Sequence, residues 1–325
     1  MLLGALALAW VATEIVSARP AIATLLVARV LQGVSVGLAV GTSTAYLSEL
    51  TGNRARASLW VAITSSVGFG GGALLTSTLL KLVPSWPTLS YSIYLAFAAA
   101  VWLLLALCGA RLPAVGGRLM RLPSYEVSSL LPHLSIALGW TVSGLVIGLV
   151  PSQLREHGLE RMVGPALFAV NVAGVLVQPL ARRLGSDRSL LTGAAIIPLG
   201  LGALIYGSIE GSVPLLLAGS AFAGSASYGF SYLGGLAAVT RQATRDNEAR
   251  LVAGYMIFAY LGFGVPTLLL GYLSERIGLR VSLLTIVALA TLAAGAIGVI
   301  LLKRVRLSYA SPLLQESKAR VRPSS

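Results

Sequence analysis

Residues 56–75 read RASLWVAITSSVGFGGGALL, and residues 250–269 read RLVAGYMIFAYLGFGVPTLL. Under one constant offset Arg56 meets Arg250, Gly68 meets Gly262, Phe69 meets Phe263 and Gly70 meets Gly264. The paired leucines Leu74 and Leu75 fall on Leu268 and Leu269. In both copies an Arg-bearing loop opens an apolar run that ends in a Gly-Phe-Gly stretch. Similarity at a fixed offset marks an internally repeated architecture. The period follows from counting the apolar runs between the copies.

Those runs, broken by charge, Pro and Gly, number about ten. They fall near 2–17, 21–48, 57–82, 88–110, 128–150, 162–181, 189–209, 213–239, 250–273 and 281–302. Each is long enough and poor enough in charge to read as a membrane-spanning helix, because hydrocarbon leaves no water to satisfy open backbone. Composition agrees. Of the 325 residues 56% are hydrophobic and only 11% charged, with a mean hydropathy of +0.84. Soluble domains carry about 25% charged residues. The 36 glycines suit helices that pack closely in lipid. The expected fold is an all-α, polytopic transmembrane bundle.

The net charge of +13 does not point to nucleic acid, since the basic residues form no single patch. They alternate between loops. One set holds Arg54, Arg56, Arg111, Arg118, Arg121, Arg182, Arg183, Arg188, Arg241, Arg245 and Arg250, and the C-terminal Lys303, Arg304, Arg306, Lys318, Arg320 and Arg322. The other holds only Arg19, Lys81, Arg155, Arg161, Arg276 and Arg280. The positive-inside rule then places both termini in the cytoplasm, with the plasma (inner) membrane as the expected location. The lone Cys108 excludes a disulfide framework within the chain, and no His, Cys and carboxylate set recurs at ligand or triad spacing. The reading is therefore of no enzyme, no metal and no cofactor. The N-terminus lacks a basic region and reads as a span, not a signal peptide.

The two similar segments open the third and ninth runs, so the period is six helices. Runs one to four pair with seven to ten, and runs five and six have no partner. Their equivalents are expected before Met1, as in a parent of twelve helices short of its first two. The expected layout is an incomplete four-helix bundle at 1–110 and a linker at 111–127. A six-helix bundle at 128–303 and a basic tail at 304–325 complete it.

The second run supports this. ARVLQGVSVGLAVGTSTAYLSELTGNRARA, residues 28–57, resembles the fourth helix and following loop of the major facilitator superfamily. Arg29, Gln32, Gly33 and Gly37 match its Arg, its Gln-Gly three and four residues on, and a further small residue. Glu49 with Arg54 or Arg56 matches its helix-end Glu and loop Arg. QPLARRLGSDR at 178–188 is similar to a degenerate copy of the family's loop signature. SSVGFGGG in the third run departs from the antiporter pattern, having no Pro; the repeat copy has Pro266. The resemblance implies secondary transport of a small organic solute by alternating access, with proton-coupled efflux one form of it. It also implies a monomer whose partners are the solute, protons and the bilayer. The alternatives are a truncated or degenerate non-transporting membrane protein, or a ten-helix transporter of the drug/metabolite type.

Polar groups that lipid would penalise are the site candidates. Arg29 leads, since a charged side chain at mid-bilayer costs about 3 kcal/mol and needs an interior partner; Gln32 lies one turn on. Tyr228, Ser231 and Tyr232, at i, i+3 and i+4 of the eighth run, offer two phenols and a hydroxyl on one face. His133 and Trp140 lie two turns apart in the fifth run, and Asn171 lies in the sixth. Glu14, Arg29 and His133 are the proton-coupling candidates. Gly33, Gly37 and Gly41, at four-residue spacing, form a face for close helix contact; with Glu49, Arg54 and Arg56 they are the packing and gating set.

Overall fold

A computed structural model of the protein describes residues 1–18, 21–109, 123–148, 150–241, 243–244 and 247–320, with side chains from 307 onward outside the description. Every regular element among these residues is helical. The helices are α1 (Leu2–Ala18), α2 (Ile22–Thr51), α3 (Arg54–Leu82), α4 (Leu89–Cys108), α5 (Leu130–Gly148), α6 (Val150–Arg155) and α7 (Val163–Leu176). They continue with α8 (Gln178–Leu184), α9 (Ser186–Ile209), α10 (Val213–Gly224), α11 (Tyr232–Arg241), α12 (Glu248–Ile277) and α13 (Leu279–Arg320). A π-helix, Ser225–Ser231, joins α10 to α11 without a break. Among the described residues eight helices are long and apolar enough to cross a membrane. Glu160–Leu176 and Gln178–Leu184 together make a ninth, bent by 42° where Pro179 removes a backbone donor. α1, at 17 residues, is shorter. The chain is a multi-pass integral membrane protein.

The chain divides into two compact units, Met1–Gly68 with Leu75–Arg118, and Phe69–Leu74 with Leu119–Ser325. In the first, α2 packs on α1, with the Ser35 hydroxyl donating to the Ala5 carbonyl at 2.7 Å. The Trp102 indole of α4 donates to the Leu3 carbonyl at 3.2 Å. The expected basic tail is helical as far as Arg320, as a continuation of α13.

The second unit buries hydroxyls as well as aliphatic side chains, and its outer surface is apolar. Ser189, Ser208, Ser220, Ser227 and Ser282 are fully buried, whereas Leu176, Leu199, Leu268 and Leu292 are more than 70% exposed. Leucine against hydrocarbon costs nothing, while a buried hydroxyl needs a partner, so serines bond carbonyls. Ser208 donates to Ile205 and Ser220 to Leu216, each at 2.7 Å. An aliphatic core from α5, α7, α9, α10, α12 and α13 runs through Val142, Leu145, Val170, Leu204, Leu270 and Ile286.

α5 and α12 meet through glycine. Gly262 faces the Ala137 backbone and Gly144 the Phe263 carbonyl, each too closely to admit a Cβ. Pro266 in α12 has no N–H, so the Gly262 carbonyl one turn back loses its helical donor. The Thr141 hydroxyl of α5 reaches that carbonyl at 3.1 Å, its alternative being the Ala137 carbonyl, also at 3.1 Å. Thr141→Val is expected to lower stability by about 1 kcal/mol. In a Pro266→Ala background the N–H returns and the same substitution should cost almost nothing. Unfolding titrations of the four proteins check this coupling; equal costs in both backgrounds would contradict it.

Candidate functional site

The π-helix is the centre of the second unit. A π turn is wider than an α turn, offsets carbonyls from their usual donors, and recurs at functional sites. Side chains of two neighbouring helices supply donors here. Ser189 of α9 donates to the Phe230 carbonyl and Ser186 to that of Gly234, each at 2.8 Å. The Tyr255 hydroxyl of α12, fully buried, lies 3.0 Å from the carbonyls of both Ser231 and Tyr232.

Three glycines bring the surrounding helices onto this segment. A Cβ at Gly139 of α5 would lie 3.1 Å from Ser227, one at Gly174 of α7 2.5 Å from the Tyr228 Cβ, and one at Gly193 of α9 2.5 Å from the Ser231 hydroxyl. Tyr228 turns towards α5. Its hydroxyl pairs with Ser143 at 2.9 Å, and its ring lies 5.6 Å from that of Trp140. Tyr260 of α12 approaches Trp140 edge-on at 5.4 Å. Tyr232 lies 6.5 Å from Tyr255. Tyr228, Ser231 and Tyr232 all sit within the unit, but the wide turn splits them: Tyr228 meets α5 and α7, Ser231 meets α5 and α9, and Tyr232 meets α12.

Several polar atoms here are buried without a hydrogen-bond partner: Trp140 Nε1, Asn171 Oδ1 and Ser231 Oγ. Asn171 uses its Nδ2 to donate to the Leu167 carbonyl at 2.9 Å, which leaves its acceptor idle. An unsatisfied buried group costs about 1–3 kcal/mol, so each of these atoms is a candidate for a partner from outside the chain. The set offers one donor, one acceptor and one hydroxyl among aromatic faces.

His133 lies apart from this set. It is 1% exposed and ringed by Phe258, Tyr255 and Tyr125 at 4.9, 5.7 and 6.1 Å. Its Nδ1 faces the Ser129 carbonyl, so that nitrogen carries the proton, and Nε2 is an acceptor with no partner.

In the first unit the Arg29 guanidinium donates to the Gln32 amide oxygen at 3.0 Å, and Arg29 is exposed. Gly33 and Gly37 have nothing within 4 Å of where a Cβ would stand. α2 meets α1 at Ser35, and among the described residues nothing stands against Gly33 or Gly37. The surroundings of Gly41 and the Arg54 side chain lie outside the described residues. Glu14 is half-buried in α1, and Glu49 and Arg56 are exposed at the ends of α2 and α3. Arg111, Arg118, Arg121 and Arg245 also lie outside the described residues.

Tyr255, Tyr260, Ser143 and Tyr125 are absent from the sequence-derived candidates. Tyr255 and Tyr260 stand within the repeat copy at 250–269, whose matched positions are chiefly glycines. Among the described residues no three His, Cys, Asp or Glu side chains are grouped to hold a metal. No family model matches the chain, and no curated protein matches it.

Proposed function

We propose that this protein is a secondary active transporter of the major facilitator type, moving a small organic solute by alternating access, with proton-coupled efflux as its mode. The observation that carries the reading is the group of buried, unpartnered Trp140, Asn171 and Ser231 around a π-helix in a membrane bundle. Ligand sites combine apolar and aromatic walls with a few polar groups that fix orientation, and this set has that composition. Trp140 and Tyr228 supply faces for a ring, Ser143 holds Tyr228 in place, and the idle atoms supply hydrogen bonds. Tight glycine contacts let helices slide without opening voids, as rocking requires. His133, buried with an idle Nε2, is the proton-coupling candidate of the second unit. Both termini lie in the cytoplasm of a plasma (inner) membrane, on the loop charge asymmetry.

The full chain in proteoliposomes loaded with a mixture of small organic solutes tests this. Mass spectrometry of the external medium is expected to show at least one solute leaving protein-bearing vesicles at least tenfold faster than empty ones. Identical release profiles would leave a non-transporting membrane protein as the reading.

A further inference from the structure

A cavity of about 410 Å³ lies in the second unit where the end of α6, the end of α9 and the α12–α13 turn meet. That volume suits a small solute. Gly278, at φ +81°, turns α12 into α13 within one residue. The backbone at 278–281 therefore lines the cavity with the first turn of α13, whose N–H groups have no helical carbonyl to reach. Arg280 in that turn adds a guanidinium to the lining. Gln153 and Glu156, at the end of α6, supply an amide and a carboxylate to the same space. His157 holds their segment in place, its Nε2 donating to the Ile209 carbonyl at 2.7 Å. Gly211, at φ +67°, leaves room for that ring, since a Cβ there would lie 2.9 Å from the His157 Cγ.

The two charges that line this cavity are not paired with each other. Glu156 accepts from Gln153 Nε2 at 2.6 Å, and Arg280 pairs with Glu210 at 3.1 Å. Gln153 is only 3% exposed, and its Oε1 has no partner among the described residues. A carboxylate can only accept, so Glu156 fixes which way the amide stands and leaves that oxygen idle.

We propose that this cavity binds a small zwitterion. Glu156 and Gln153 Oε1 take its ammonium, and Arg280 with the first turn of α13 takes its carboxylate. A plain anion would gain Arg280 and the positive helix end but would face Glu156. A plain cation would gain Glu156 and face Arg280. A neutral amide would find hydrogen bonds without charge assistance, which are about half as strong. Each contact is partly open to water and weak alone, so the preference arises from holding both poles at once. The cavity shares no residue with the set around the π-helix, and the proposal stands whether or not that set binds a solute. On the loop charge asymmetry it lies on the side away from the cytoplasm.

The test is equilibrium binding to the full chain in nanodiscs. Glycine, β-alanine and γ-aminobutyrate are the zwitterions, and acetate, methylamine and acetamide are the single-pole and neutral probes. The proposal expects at least one zwitterion to bind at least tenfold tighter than all three of the latter. Glu156→Gln and Arg280→Gln alter exposed side chains, and each is expected to weaken that zwitterion at least fivefold. Glu156→Gln should also leave acetate binding unchanged or tighter, since it removes only the negative pole. Acetate binding the wild type as tightly as every zwitterion would make this an anion site and overturn the proposal. Absence of zwitterion binding, or binding indifferent to both substitutions, would overturn it as well.

Discussion

Gly262→Val is expected to destabilise the second unit by about 3 kcal/mol or more, the largest effect of any substitution considered. The reason is backbone against backbone. A Cβ at Gly262 would overlap the Ala137 carbonyl of α5, and a main-chain atom cannot rotate aside as a side chain can. Relief requires α5 and α12 to separate, which also breaks the Thr141 bond to the Gly262 carbonyl and loosens Gly144 from Phe263. Gly264, two residues on in the same helix, has nothing within 4 Å of its Cβ position. Gly264→Ala is therefore expected to be neutral or slightly stabilising, since alanine is the better helix former by about 1 kcal/mol. Thermal unfolding in detergent distinguishes the two; similar midpoints for both variants would refute the glycine contact.

Trp140→Ala is expected to reduce solute release from proteoliposomes about 100-fold, with the protein still folded. It removes a stacking face and the buried N–H together, which are worth roughly 1.4 kcal/mol per factor of ten lost. Tyr228→Phe removes only the hydroxyl that Ser143 holds at 2.9 Å, and the expected loss is a few-fold. Asn171→Leu is expected to fall between, because it deletes the idle acceptor and nearly preserves volume. Release unchanged in Trp140→Ala, at equal protein content, would remove the aromatic cluster from the transport path.

The helical class was legible from sequence because membrane backbone has few solutions; of the ten expected runs, eight helices, or nine with the bent pair, are long and apolar enough to cross a membrane among the described residues. Trp140, Asn171 and Ser231 were legible as candidates for a related reason. Polar groups in an apolar stretch must be either satisfied or used, and these three are buried without partners. The π-helix was not legible. The i, i+3, i+4 grouping of Tyr228, Ser231 and Tyr232 assumes 3.6 residues per turn, and across the wider turn Tyr228 and Ser231 share α5 but Tyr228 also meets α7, Ser231 α9 and Tyr232 α12. A cue was present in AFAGSASYGFS at 221–231, where small residues let neighbours approach an irregular backbone. Tyr255 could not be read from its own segment, since its role depends on carbonyls more than 20 residues away. The glycine face of α2 is a different case, with nothing within 4 Å of a Cβ at Gly33 or Gly37. Four-residue spacing identified a smooth surface, but spacing cannot say what covers it.

Alternating access requires the π-helix segment to open in turn to the two faces of the membrane. Ser231 tests this directly, because its side chain is 1% exposed in the state described and cysteine nearly matches its shape. With Cys108 replaced by serine, Ser231→Cys becomes the only thiol in the chain. A membrane-impermeant methanethiosulfonate is then applied to vesicles either from outside or trapped inside. The account predicts modification from both sides, each slowed by a saturating solute. A thiol that reacts from neither side, or from one side only under all conditions, would contradict it.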